Sequence, residues 1–187
     1  MKNVKIFLII LIIIFVIFLI FFLNNKVNEN SEYNETEVIE NMKITSPAFK
    51  EGGKIPSKYT CDDANINPEL HFEQVPENAK SLVLIMDDPD APVGLWVHWV
   101  VFNIPSTTKI VPEDSEPQGT PGKGTNKRTG YMGPCPPDKE HRYFFKLYAL
   151  DTNLNLPAGS TKDQVENAMK GHVLAQAQLM GKYVRSH

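Results

Sequence analysis

Three short apolar runs without a helical period constrain the fold more than any other feature of the chain. They are SLVLIM (Ser81–Met86), WVHWVVFNI (Trp96–Ile104) and RYFFKLYAL (Arg142–Leu150). β-Branched and aromatic residues dominate them, and turn-forming residues flank them, which favours strands. A strand with one wet face alternates apolar and polar residues, whereas these runs are apolar on both parities. They are therefore expected to be central strands of a sheet covered on both faces. KITSPAF and LHFEQV are weaker strand candidates.

The start of the chain has a different character. Ile6 to Leu23 is an unbroken apolar run of about eighteen residues, the minimum for a membrane-spanning helix. Lys2 and Lys5 precede it and a polar, acidic stretch follows, so the positive-inside rule keeps the N-terminus cytoplasmic. A cleaved signal peptide is the rival, with an apolar core of about 7–15 residues and small residues at the cleavage site. Here Phe21, Phe22 and Leu23 lead into Asn24 and Asn25 instead. Residues 1–23 are thus read as a retained single-pass anchor in the cell membrane and 24–41 as a polar linker. Residues 42–187 are read as one domain on the extracytoplasmic side. The linker contains a glycosylation sequon in form, Asn34-Glu35-Thr36.

The net charge of the whole chain is −3, and it is more negative without Lys2 and Lys5. That disfavours nucleic acid, which needs a basic footprint, and polybasic adhesion to anionic lipid. Cys61 and Cys135 both fall on the expected outer side. An even count there permits one disulfide; two unpaired, small buried residues are the other reading.

Between Ser106 and Pro137 the chain is dense in Pro, Gly, Thr and charge, and a loop of that length is usually functional or disordered. Its GTPGKGT stretch lacks the spacing of a phosphate-binding P-loop. The tail, STKDQVENAMKGHVLAQAQLMGKY, has helical composition. Thr161 and Gln164 have capping-box spacing, and Gly171 is expected to separate two helices. The second would carry an apolar stripe of Val173, Leu174, Ala177 and Met180. His172 reads as a helix-start or surface residue, and His71 and His187 have no acidic motif beside them.

Two constellations carry the chemistry. In the first, Asp87-Asp88-Pro89-Asp90-Ala91-Pro92 closes a strand and His98 enters the next. Proline cannot continue a central strand, so the carboxylates belong at the sheet rim. Strand parity groups His98 with Trp96, Val100 and Phe102. Asp87 reads as a structural turn residue. The second constellation is GPCPPDKEHRY, Gly133–Tyr143. Prolines stiffen that loop, and Gly133 can turn backbone N–H groups toward a ligand. His141 and Tyr143 face one way on a strand; Arg142 faces the other and reads as half of an ion pair. If the two strands are neighbours, His98, His141, Tyr143 and the acidic turn line one small pocket.

These motifs resemble the phosphatidylethanolamine-binding protein family, in its prokaryotic, Raf-kinase-inhibitor-like branch. The resemblance rests on Asp-Pro-Asp-Ala-Pro, Trp-x-His, Val-Val-x-Asn-Ile-Pro, and Gly-Pro-Cys-Pro-Pro followed by His-Arg-Tyr. YTCDDANINPEL and GHVLAQAQLMGKY extend it from about Ile44 to Tyr183. It implies a mainly β fold, a sandwich of two antiparallel sheets with C-terminal helices. It also implies a small pocket for phosphate-type anions or phosphorylated headgroups. Carried over, that pocket comprises Asp88, Asp90, His98, His141 and Tyr143, with backbone from Gly133, Pro134 and Cys135. One departure stands out: where the family usually has a glycine just before His-Arg-Tyr, this chain has Asp138-Lys139-Glu140. The pocket mouth is expected to be more charged as a result.

Aspartates in an anion pocket imply a division of labour. Histidine and tyrosine donors bind phosphate oxygens while Asp88 accepts from a histidine and favours its charged form. Asp90 is assigned more to the turn. An aspartate meeting an ethanolamine ammonium is the alternative. The expected function is non-catalytic binding, with no cofactor and no metal, and with an unidentified protein partner as a further target for inhibition or regulation. A hydrolase or a metal-binding protein using the same His/Asp cluster is the runner-up. Against it stand the absence of a G-x-S-x-G elbow and of local metal-ligand spacing.

Overall fold

The computed structural model describes residues 42–185. The expected anchor, the linker and its sequon lie outside the described residues. The strands are β1 (Lys43–Thr45), β2 (Leu70–Glu73), β3 (Ser81–Asp88), β4 (Trp96–Pro105), β5 (Ile110–Val111), β6 (Thr120–Pro121), β7 (His141–Leu150) and β8 (Val173–Tyr183). One helix, α1 (Lys162–Met169), precedes β8. The strands form two antiparallel sheets, one ordered β1-β2-β5 and the other β6-β4-β3-β7-β8.

The three strong apolar runs lie side by side as β4, β3 and β7 in the larger sheet. On one face of β3, Leu82, Leu84 and Met86 join Ile44, Leu70, Phe72 and Val111 from the smaller sheet. On the other face, Val83 and Ile85 pack with Leu154 and with Val165 and Met169 of α1. Each such side chain stabilises the fold by roughly 1.5–3 kcal/mol on full burial. The absence of alternation thus reflects burial on both sides along β3 and the middle of β4; β7 departs from that expectation, because Phe144, Lys146 and Tyr148 on its second face are only half-buried. The smaller sheet is one-sided by contrast: in β2, Leu70 and Phe72 are buried while His71 and Glu73 point outward.

The C-terminal segment departs from expectation. The capping box at Thr161 and Gln164 does start a helix, but only one helix follows. After Gly171, at φ +79°, the chain enters β8, which pairs with β7 from Val173↔Leu150 to Tyr183↔His141. Ala, Gln, Leu and Met favour helix locally, but the unpaired edge of β7 needs a partner, and tertiary context overrides the propensity. The decisive pattern is Ala175, Leu179, Gly181 and Tyr183 at even spacing. Gly181 is required there, because a Cβ would stand 2.5 Å from Ile55 Cγ1 and 2.8 Å from Phe49 Cε2.

Two irregularities bend β4 against β3, one between Leu82 and Leu84 and one between Met86 and Asp87. The long loop before β7 is tied down by side chains. Glu116 accepts from the Trp99 indole N–H at 2.9 Å and from the Tyr131 backbone N–H at 3.0 Å. The Tyr131 hydroxyl donates to the Tyr59 carbonyl at 2.8 Å.

Candidate functional site

A cavity of about 450 Å³ opens where β3 ends, β4 begins and β7 begins. Asp88, His98 and His141 provide its polar lining, and Ala91, Pro92, Val93, Trp96, Met132, Cys135 and Pro137 the rest. The strands carrying the two histidines are not neighbours, since β3 runs between them. Three consecutive strands therefore deliver one residue each.

His98 reaches the cavity through the bulge. Met86 pairs with Trp99 and Asp87 with Val97, so His98 is the extra residue opposite that step. Val100 and Phe102 pack on the α1 side of the sheet, while Trp99 and Val101 pack between the sheets. Strict alternation puts His98 with Val100 and Phe102; the bulge corrects that assignment and turns its ring against Tyr143, 5.3 Å away and edge-on. His98 Nδ1 lies 2.8 Å from the Met132 carbonyl. A carbonyl only accepts, so Nδ1 carries the proton. Burial pushes the His98 pKa below 6.5, against the opposing pull of Met132 and Asp88. The ring is thus neutral, with Nε2 as its acceptor nitrogen.

His141 is held differently. Its Nδ1 is 2.8 Å from Asp88 Oδ2 and its Nε2 is 2.8 Å from Asp138 Oδ1. Ionised carboxylates only accept, so both nitrogens donate and the ring is an imidazolium. Burial alone lowers the His141 pKa, but the hydrogen bonds from Asp88 and Asp138 together outweigh it and the pKa is raised. The Asp138 carboxyl is held below its usual range by the His141 hydrogen bond. Asp88 Oδ1 accepts the Asp90 N–H at 2.8 Å, so both Asp88 oxygens have partners.

Tyr143 stands behind the two histidines, stacked on His141 with ring centroids 6.4 Å apart. It is fully buried, and its hydroxyl has no partner within hydrogen-bond geometry. Burial and the nearby Asp88 charge push its pKa up, so the hydroxyl stays neutral. Asp90 does not line the cavity: Arg142 grips its carboxylate through Nε at 2.8 Å and Nη2 at 2.7 Å. Asp87 is not in a turn. It is the buried seventh residue of β3, and it faces Lys146. Gly133 presses against the loop after β1, where a Cβ would meet the Tyr59 carbonyl oxygen at 2.3 Å. Its N–H donates to Asn65 Oδ1 at 2.8 Å, so it is turned inward and not toward the cavity. The Pro134 carbonyl accepts from the Cys61 N–H at 3.1 Å. Beside it, Cys135 and Cys61 are joined in a disulfide with Cα atoms 5.4 Å apart.

Residues 45–184 match the model of the phosphatidylethanolamine-binding protein family. The chain belongs to that family. Among curated relatives, a UPF0098 protein of Methanothermobacter thermautotrophicus is 51% identical over 153 residues, covering 77% of this chain and 99% of the relative. A UPF0098 protein of Chlamydia pneumoniae is 47% identical over 150 residues, covering 78% and 100%. The crystal structure of the phosphatidylethanolamine-binding protein homolog CT736 from Chlamydia trachomatis superposes with a TM-score of 0.76 at 45% identity, covering 78% of this chain and 98% of that one. That of Escherichia coli YbcL, a member of the mammalian family, gives 0.72 at 31% identity, covering 78% and 99%.

Within this family fold, several cavity residues carried no signal in the sequence. Met132 fixes His98 through its backbone carbonyl, which any residue supplies. Pro92 and Val93 contribute apolar surface, and only their place in the turn brings them to the histidines. Asn65 was detectable in principle: it sits at φ +57°, a conformation for which Asn is favoured, inside the YTCDDANINPEL stretch. The arrangement offers an imidazolium, a neutral imidazole and an apolar wall. With its sulfur in the disulfide, Cys135 offers no thiolate.

Proposed function

We propose that the domain binds, without converting, a small molecule that carries a phosphate-type anionic group. The anionic end meets His98 and His141, and the remainder lies against Pro92, Trp96 and Met132. The observation that carries this reading is the pair of buried imidazoles on one cavity, one of them held protonated by carboxylates. An anion beside His98 favours its protonated form, so Nε2 becomes a second donor on binding. Affinity therefore rises as pH falls through the depressed His98 pKa.

The test is calorimetric titration of the full chain in detergent with inorganic phosphate and O-phosphorylethanolamine. His98→Ala and His141→Ala are each expected to weaken binding about tenfold, the size of one charge-assisted hydrogen bond. Equal affinity in all three proteins removes the site assignment. Steady release of phosphate from the ester, abolished by either substitution, replaces binding with hydrolysis. The same proposal has the domain held outside the cell membrane by residues 1–23; N-terminal sequencing of mature protein that begins near Asn24 overturns that part.

A further inference from the structure

We infer that Asp138 is an internal occupant of the anion position, so that a ligand enters by displacing its carboxylate from His141. This rests on the anion-binding reading above and adds the residue that sets its selectivity.

His141 has two unequal partners. Asp88 is a fixed one, 4% exposed in its side chain and held at the end of β3. Asp138 is 50% exposed and reaches the fully buried ring from the loop just before β7. Beyond the bond to His141, its carboxylate is helped by the backbone N–H and the side-chain charge of its own neighbour Lys139, both on the same exposed loop. Rotation of one exposed side chain therefore frees the Nε2–H and returns Asp138 to water.

The charges make that exchange necessary. Asp88 and Asp138 bring two negative charges to the single positive charge of His141, and His98 is neutral. An anion approaching the closed arrangement meets a net negative site and a donor already taken. With Asp138 turned out, the Asp88–His141 pair is neutral and the Nε2–H is available. A weakly basic monoanion replaces one carboxylate with nothing stronger. A phosphate-type group can take His141 and also reach His98, two contacts against the one that Asp138 gives up. Asp138 thus screens against simple carboxylates and halides.

The experiment compares the full chain in detergent with Asp138→Asn, Asp138→Ala and His141→Ala, titrated calorimetrically with inorganic phosphate and with acetate. The ring ¹⁵N resonances of His141 are followed in parallel. Both Asp138 variants are expected to bind phosphate about tenfold more tightly than the natural chain, the size of one charge-assisted hydrogen bond. Acetate is expected to bind measurably only in those variants. In the natural chain, phosphate is expected to move the Nε2 resonance to the position it has in phosphate-bound Asp138→Ala. If the natural chain binds phosphate through His141 and the Asp138 variants bind no more tightly, the inference falls and the anion site stands. If none of the proteins binds phosphate, both fall.

Discussion

Asp87 and Asp88 are consecutive in one strand, and they do opposite things. Asp87 faces the α1 side of the sheet, where Lys146 Nζ donates to it at 2.8 Å and Lys162 Nζ lies 3.7 Å away. Lys162 also pairs with Glu166 at 2.9 Å, within the helix. Asp88 faces the other layer and takes the imidazole of His141. The first carboxylate sits between two lysine side chains, and it does not line the cavity. The second sits beside a group that titrates, at the edge of an open cavity. The difference is set by the two-residue repeat of the strand alone. It teaches that a buried acid's role follows from the protonation range of its partner and from access, more than from the depth of burial.

The largest effect expected from this contrast is at Asp87. Asp87→Ala leaves Lys146 without its carboxylate and Lys162 with Glu166 alone, and should destabilise the fold by about 3 kcal/mol in chemical denaturation, with little change in phosphate affinity. A loss within the exposed-pair range, under about 1 kcal/mol, would erase the distinction. Asp88→Asn should do the reverse: a smaller loss of about 1–2 kcal/mol, the scale of one hydrogen bond to a charged group, and weaker phosphate binding. Calorimetry on the same preparations measures both arms, and unchanged binding in Asp88→Asn would remove Asp88 from the site.

A proton titration followed by NMR sharpens the contrast within the cavity. His141 should titrate above 6.5 and His98 below it. The stabilisation from His141 is full below the unfolded value and is lost as pH rises through its raised folded value. That from His98 is full above the unfolded value and is lost as pH falls through its lowered one. The two windows meet at the unfolded value, so the histidine contribution to stability should peak near pH 6.5 and fall on either side of it. Inverted order of the two titrations would contradict the hydrogen-bond assignment. The smallest effect belongs to an exposed pair: Asp151 and His172, 2.8 Å apart with side chains 48% and 45% exposed. Asp151→Asn should change unfolding free energy by less than about 1 kcal/mol.

The central sheet was legible because burial on two faces removes alternation, and β3 and β4 carry that mark; in β7 the aromatic residues Phe144 and Tyr148 gave the same pattern on a face that is only half-buried. The facing of His141 and Tyr143, and the outward Arg142, followed from simple parity. Parity failed at His98, because a bulge is written in the pairing of two strands and not in either one alone. It failed in another way at Val173–Tyr183, where helix-forming residues mask an even-spaced pattern of small and apolar side chains. Asp87 was misplaced because Asp-Asp-Pro-Asp looks like a turn throughout, and nothing local shows that the strand runs two residues further. The position of Asp138 was flagged as unusual, but its contact with His141 required the loop's path in space.

The disulfide gives the molecule a covalent ring. Cys61 and Cys135 are 74 residues apart in sequence, and the ring they close holds β2 through β6. Asp88 and His98 are inside this ring, whereas His141 enters from outside it on β7. Under a pulling force applied to the two ends of the domain, only β1 and the segments after Cys135 can be drawn out. The ring withholds about 250 Å of contour length at roughly 3.4 Å per residue. A stretched domain would therefore lose His141 from its cavity while the strands bearing Asp88 and His98 stayed looped together, and reduction would release the missing length as a separate step in a force–extension trace.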